Sequence, residues 1–205
     1  SIDSFSENTN RELGRMTQNG QWLTRVKFYS LCYAIRRYAH ETAIKVNTVV
    51  NKLNKDENLG QWILDDKQVR ISRWKIMRMK VFDNGKFSNV NLQVSTNDYN
   101  RFVRWNSGIE SVPQVTNNGN SLVIQSTADC SIIVEPELRK SYLIVDSTGH
   151  LLDNSHGGNY LQVCDLKSSP LRKGIDALEA SLAFDYQRYA SRYSSPEVRI
   201  YAKQA

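Results

Sequence analysis

The chain has 205 residues, of which 40% are hydrophobic and 23% charged, with ten Tyr and only four Pro. This composition predicts a folded protein and excludes the disordered and collagen-like classes. No apolar stretch approaches the roughly 18 residues that a membrane span requires, and the polar amino-terminal stretch has no hydrophobic signal core. We therefore expect a water-soluble chain without an integral membrane segment.

The three cysteines are far apart in the sequence, at Cys32, Cys130 and Cys164. Their odd number does not suit a disulfide framework, and their spacing is not that of a zinc site. We therefore expect a reducing compartment.

Positive charge is concentrated at the amino-terminal end. Residues 1–80 hold 15 Lys and Arg against 8 Asp and Glu, a net charge of +7, whereas residues 81–205 hold 12 against 13, a net charge of −1. Such asymmetry is typical of an element that binds a polyanion, attached to a neutral body. The alternative is that these bases only keep an exposed helix soluble.

An apolar seam from Trp22 to Leu53 predicts one long helix. Its apolar residues recur at steps of mostly three and four without an intervening Pro or Gly; they are Phe28, Cys32, Ile35, Ala39, Ala43, Val46, Val50 and Leu53. A polar run that closes on Gly60 ends the pattern. We predict that residues 1–60 form a basic helical extension.

Basic residues lie mostly off this seam, and Glu41 is the only acid between Gln21 and Asn54. A face of this kind can follow a phosphate backbone and release its counterions. The bases concerned are Arg25, Lys27, Arg36, Arg37, Lys45 and Lys52.

The middle of the chain predicts a largely antiparallel sheet. The basic, β-branched and aromatic segment 69–82 favours a strand that enters a hairpin at the turn 83–86. Short strand-like runs separated by Asn, Gly and Ser turns follow at 90–94, 122–125, 131–134, 142–145 and 160–164.

A last amphipathic helix is predicted within residues 168–195, from Leu171 to Tyr193, packed on the sheet. The predicted fold class is therefore α+β: a long basic amino-terminal helix, then a β-rich head over residues 61–205 that includes this closing helix.

Catalytic signals are sparse. Residues of the types that bind metals lie close together in the sequence around one predicted hairpin, but their spacing is not that of a recognised site. They are Asp146, His150, Asp153, His156 and Cys164. The acidic pairs Asp65-Asp66 and Glu135/Glu137 are more typical of caps and surface charge. We predict no catalytic residue, no metal, no cofactor and no enzymatic activity.

Three stretches carry a family resemblance, in an order and approximate spacing that agree over residues 13–145. They are Leu13–Met16 with Arg36-Arg37 and Val50–Leu59; Val94–Phe102 with Asn106-Ser107-Gly108; and Leu122–Gln125 with Asp129 and Ile132–Val134. In these stretches the chain resembles the large polymerase accessory subunit of coronaviruses and related nidoviruses, a primase-like replicase cofactor. A Gln before the last Ala also suits the cutting site of viral main proteases, which predicts a replicase polyprotein product.

The resemblance implies a non-catalytic, RNA-binding cofactor of a viral RNA-dependent RNA polymerase that acts in viral replication in the host cytoplasm. It implies contacts with template–product RNA at Arg36, Arg37, Lys52 and Lys55, while Lys45 is a candidate from its charge alone. The implied partners are RNA, the viral polymerase subunit and a small helical replicase cofactor.

Two other functions fit the same residues. A viral structural protein of the nucleocapsid or matrix type would form homo-oligomers through the helix seam and bind nucleic acid with the basic face. A small hydrolase or nuclease would build its site from the region between Asp146 and Cys164.

Overall fold

The structure, a computed structural model, describes residues 1–64, 69–83, 88–108, 122–125, 130–135, 140, 142–156, 160–186 and 189. The helices among these residues are α1 (Glu7–Glu12), α2 (Arg25–Tyr38), α3 (Gly60–Ile63), α4 (Thr96–Ser107) and α5 (Leu171–Ala180). The strands are β1 (Lys45–Val50), β2 (Arg73–Arg78), β3 (Leu122–Gln125), β4 (Ser131–Glu135), β5 (Ile144–Val145), β6 (His150–Asp153) and β7 (Leu161–Asp165).

The chain divides into two compact units. The first comprises residues 1–79 and 91–137, and the second comprises residues 80–90 and 138–205. The predicted division at residue 60 stays a prediction.

The first unit is built on a mixed four-stranded sheet of order β1-β2-β4-β3. β2 pairs in parallel with both β1 and β4, whereas β3 is antiparallel to β4. Parallel neighbours need crossover connections, and helices normally provide these and cover the sheet.

One face of this sheet packs against the hydrophobic core. Along β1 the side chains of Val46, Thr48 and Val50 are buried, and they alternate with more exposed ones. Because successive side chains of a strand point to opposite faces, the two faces differ in environment. The buried face belongs to a core with side chains of α2 and α4, such as Phe28 and Phe102.

The amino-terminal segment lies along the outer edge of β1. The Ile2 N–H donates to the Asn47 carbonyl at 2.8 Å, and the Thr48 hydroxyl donates to the Ile2 carbonyl at 2.6 Å. The Asp3 carboxylate accepts the Val49 N–H at 2.7 Å and pairs with Arg15 at 2.7 Å. These bonds satisfy backbone groups that an open sheet edge would expose.

The second unit has an antiparallel sheet of order β5-β6-β7, with α5 packed on it. Gly174 of α5 lies against Leu151 and Cys164; a Cβ there would come within 2.6 Å of both side chains. The helix therefore approaches the sheet more closely than a larger residue would allow.

The α+β fold class is confirmed, but the long helix from Trp22 to Leu53 is wrong. α2 ends at Tyr38, and β1 begins at Lys45. Val46 and Val50 are four residues apart, a spacing that fits one helix face and also fits one strand face. The β-branched residues between them pair with β2, and this pairing decides in favour of the strand.

Three smaller predictions about the secondary structure are also corrected. β2 does not enter an antiparallel hairpin, because it lies between two parallel neighbours, so the largely antiparallel sheet is confirmed only for the second unit. The predicted strand at 90–94 begins with a turn of 3₁₀ helix at Val90–Leu92. α5 begins at Leu171 but ends at Ala180, well short of Tyr193, and Leu182 after it has a positive φ of 54°.

Thr48→Val tests the edge packing. The Thr48 hydroxyl accepts from Trp74 Nε1 at 2.9 Å as well as donating to Ile2, and both Thr48 and Trp74 are fully buried. The isosteric change leaves two buried polar groups unpaired, so we expect a loss of about 2 kcal/mol in the free energy of unfolding, measured in urea. The control is Val49→Thr on the other face, for which we expect a change within about 0.5 kcal/mol; equal stability of both variants would contradict this packing.

Candidate functional site

The second face of the four-stranded sheet carries polar and charged side chains on its three parallel strands. Register and alternation place them in three rows across β1, β2 and β4. The rows are Lys45–Arg73–Ser131, Asn47–Lys75–Ile133 and Val49–Met77–Glu135. We call this surface the open face.

Lys45 and Arg73 lie directly opposite each other in the register of β1 and β2. Lys45 is exposed and Arg73 half-buried. An arginine beside a lysine can bind a phosphate group.

A third cation on the open face is held by a buried carboxylate. Lys75 Nζ lies 2.8 Å from Glu135 Oε2; the side chain of Lys75 is 21% exposed and that of Glu135 is 1% exposed. Among the described residues of β1, β2 and β4, this face therefore carries three bases and one acid.

The open face changes character along the strands. The row nearest the strand starts contains Lys45 and Arg73, whereas the row nearest the strand ends contains Val49, Met77 and the buried Glu135. The face can therefore take a ligand that is anionic at one end and less polar at the other. Ligands of parallel sheets commonly bind at the carboxyl ends of the strands.

Arg36, the first of the RNA contacts that the resemblance implies, holds a loop of its own unit. Its guanidinium donates to the carbonyls of Val69 (3.2 Å), His40 (3.1 Å) and Thr42 (2.9 Å), and also to that of Arg70. The donors of Arg36 are therefore already used inside the fold.

The other predicted contacts of α2 are exposed. The Arg25 guanidinium lies 4.0 Å from the centroid of the Trp62 ring, and that of Arg37 lies 5.4 Å from the centroid of the Tyr38 ring. Lys27 Nζ is 3.5 Å from the Gln21 side-chain oxygen.

The lysines after β1 have different surroundings. Lys52 is exposed, and its backbone N–H donates to the Leu92 carbonyl at 2.9 Å. Lys55 pairs with Asp56 at 3.5 Å and with Asp98 at 3.4 Å. RNA binding by the seven predicted residues stays a prediction, and among them only Lys45 belongs to the open face.

Arg73 and Lys75 are not among the residues predicted to bind. Their signal is present, since two bases alternate with the buried Trp74 and Ile76 along a basic run. Such alternation identifies a strand with one cationic face. The hairpin prediction for this segment did not use it.

The proposed metal or hydrolase region of the second unit separates into two pairs. His150 Nδ1 is 3.4 Å from Asp146, and His156 Nε2 is 3.3 Å from Asp153. In the portion of the chain that the structure describes, no three His, Cys, Asp or Glu side chains are grouped as metal ligands would be. Asp65, Asp66 and Glu137 lie outside the described residues.

The Asp146 carboxylate organises the turn between β5 and β6. It accepts the backbone N–H of His150 at 2.9 Å, the Thr148 hydroxyl at 2.8 Å and the Thr148 N–H at 2.9 Å. These bonds, that of the His150 backbone first, lower the pKa of Asp146 from 3.8 to about 2. The Asp146–His150 pair is therefore part of the structure of this turn.

Comparison with known proteins gives a consistent answer. A protein of Selenomonas ruminantium is 29% identical over 95% of this chain and 61% of its own length, and one of a Fibrobacter species is 30% identical over 95% of this chain and 56% of its own length. One of Oncorhynchus mykiss is 27% identical over 94% of this chain and 48% of its own length. All three are named S-adenosylmethionine-dependent nucleotide dehydratases. The chain spans about half the length of the curated relatives it matches, and no family model matches it.

These relatives overturn the functional predictions. The resemblance to the nidovirus accessory subunit is wrong, and so are the viral replication cofactor, the replicase polyprotein product and the structural-protein alternative that accompanied it. The prediction that the chain is not an enzyme is wrong as well, because relatives that cover almost all of it are named as enzymes. The predicted partners and the host cytoplasm stay predictions. None of the helices in the described residues combines the length and apolar composition of a membrane crossing.

Substitution of two adjacent arginines separates structural from surface roles. Arg36→Met removes a guanidinium that donates hydrogen bonds to four backbone carbonyls. We therefore expect a loss of about 2 kcal/mol in the free energy of unfolding. Arg37→Met changes an exposed side chain, and we expect less than about 0.5 kcal/mol. Urea unfolding of both variants measures this; the opposite ranking would contradict the assigned contacts.

Thr148→Val tests the Asp146 turn. Loss of the hydroxyl donor should raise the pKa of Asp146 from about 2 toward its ordinary value of 3.8, which carboxyl NMR titration measures. Because the pKa is lower in the folded state, its contribution to stability is present above pH 3.8 and is lost as the pH falls toward 2. An unchanged Asp146 pKa in the variant would contradict the assigned bond.

Proposed function

We propose that this chain belongs to an S-adenosylmethionine-dependent nucleotide dehydratase and that its open face binds the phosphates of the nucleotide. Two independent observations support the proposal. The relatives that cover 94–95% of the chain bear this name, and strand register places Lys45, Arg73 and Lys75 on one face of the sheet.

The juxtaposition of Lys45 and Arg73 carries the proposal. Their Cα atoms are register partners on adjacent parallel strands, and both side chains lie on the open face. The lysine supplies a point charge, and the arginine supplies a planar fork that matches two phosphate oxygens. Phosphate groups are the anionic moiety of a nucleotide, so these two residues hold its charged end.

The orientation of the nucleotide follows from the change in side-chain polarity along the strands. With the phosphates at Lys45 and Arg73, the sugar and base lie toward Val49 and Met77, near the strand ends. The side chain of Asn47 lies one row from Lys45 and offers an amide for hydrogen bonding. The reacting sugar would then face the carboxyl ends of the strands, where parallel sheets commonly place their chemistry.

S-adenosylmethionine itself does not fit the open face. Its sulfonium is a cation, and the face presents Lys45, Arg73 and Lys75 with one carboxylate already paired. Cations repel a sulfonium, so we assign no residue of this face to the cofactor and derive no step through it.

Nucleotide titration tests the proposal. We expect the chain to bind nucleoside triphosphates more tightly than the corresponding monophosphates. Lys45→Ala and Arg73→Ala should each weaken triphosphate binding about tenfold or more, since a charge-assisted hydrogen bond contributes about 1.5–3 kcal/mol. Calorimetry with ATP, GTP, CTP and UTP measures both effects at one fixed ionic strength.

Lys52→Ala is the matched control. It removes one exposed lysine of the same unit, just past β1, with the same change in net charge. We expect its triphosphate affinity to stay within about twofold of the unmodified chain. Equal losses in Lys52→Ala and Lys45→Ala would reduce the effect to net charge and contradict a phosphate site on the open face.

A further inference from the structure

The Glu135 carboxylate is almost fully buried although it lies on the open face. Only 1% of its side chain is exposed, and its Oε2 pairs with Lys75 Nζ at 2.8 Å. A buried carboxylate is costly unless it is paired. Glu135 is too enclosed to meet a ligand itself, whereas the Lys75 side chain keeps 21% of its surface exposed.

Tyr99 of α4 fixes the backbone beneath this pair. The Tyr99 hydroxyl donates to the Ile76 carbonyl of β2 at 2.8 Å. Burial raises the pKa of Tyr99 well above its usual value, so the phenol keeps its proton and remains a donor. A buried residue of α4 is therefore bonded to β2 one position beyond Lys75.

Lys75 is the cation that this arrangement controls. It lies one row beyond Arg73 on β2, between Asn47 and Ile133 in register. A free lysine samples many rotamers, and ordering it on ligand binding costs conformational entropy. The bond to Glu135 orders Lys75 before any ligand arrives.

We propose that Glu135 is a positioning residue, which holds the Lys75 ammonium on the open face as a third contact for the nucleotide phosphates. This rests on the proposed function. Lys45 and Arg73 then bind the far end of the phosphate chain, and Lys75 binds the phosphate that lies a row closer to the sugar. A triphosphate gains more from this third contact than a monophosphate does.

The direction in which Glu135→Gln changes the affinity for a triphosphate distinguishes a positioning role from a purely electrostatic one. Glu135→Gln removes a negative charge from a cationic face. If Glu135 only reduced the field of the face, the variant would bind a triphosphate more tightly. If Glu135 positions Lys75, the variant binds more weakly despite its added net positive charge.

A double-mutant cycle tests the inference. Affinities for a triphosphate and a monophosphate are measured for the unmodified chain, Glu135→Gln, Lys75→Met and the double variant, with thermal unfolding of each as the check on folding. We expect Glu135→Gln to weaken triphosphate binding about tenfold and to have no further effect in the Lys75→Met background. In a Lys45→Met background the loss should persist, because Lys75 is still present.

Each other outcome has a distinct meaning. Unchanged or tighter binding by Glu135→Gln overturns the inference, and so does an equal loss with and without Lys75, since that is a general structural effect. If the unmodified chain binds no nucleotide, the proposed function fails and this inference with it. If Lys45→Ala and Arg73→Ala lose binding but Glu135→Gln does not, only the inference fails.

Glu135→Asp covers the case in which the glutamine variant does not fold. It keeps the charge but shortens the side chain by one methylene group, so it moves the carboxylate away from Lys75. We expect a smaller loss of triphosphate affinity that again depends on Lys75; a loss that is independent of Lys75 overturns the inference.

Discussion

The parallel pairing of β2 with β1 and β4 determines the organisation of the first unit. Because register partners on adjacent strands share a face, it aligns Val46 with Trp74 and Ile132 on one side and Lys45 with Arg73 and Ser131 on the other. The first side is buried with α2 and α4, and the second keeps its polar side chains. A shift of one residue would exchange the two sides and bury the cations. Burial of the apolar side chains and solvation of the charged ones therefore favour the same register.

This pairing places two of the chain's many bases side by side at the proposed phosphate site. Most of the bases that stand out in the sequence either make contacts within the protein or are exposed to solvent. Arg36 binds backbone carbonyls and Lys55 lies among acids, whereas Lys45 and Arg73 are register partners on the open face. The proposed function rests on which bases share a face, because net charge alone does not locate a site.

The sequence predicted the fold class and several short elements, among them β3, β4 and the start of α5, because local turn chemistry and β-branched residues mark them clearly. It could not separate helix from strand at Val46 and Val50, where a four-residue spacing suits both. It also could not show that β2 has two parallel partners, since these are distant in sequence and only the assembled sheet brings them together. The open face was missed for the same reason: Lys45 and Arg73 are 28 positions apart, and only strand register makes them neighbours.

A crystal structure of the chain with a nucleoside triphosphate would decide whether the open face is the phosphate site. We expect phosphate oxygens within hydrogen-bond distance, about 2.7–2.9 Å, of Lys45 Nζ and the Arg73 guanidinium, with the base toward Val49 and Met77. A nucleotide bound elsewhere, with the open face covered by protein side chains, would contradict this assignment.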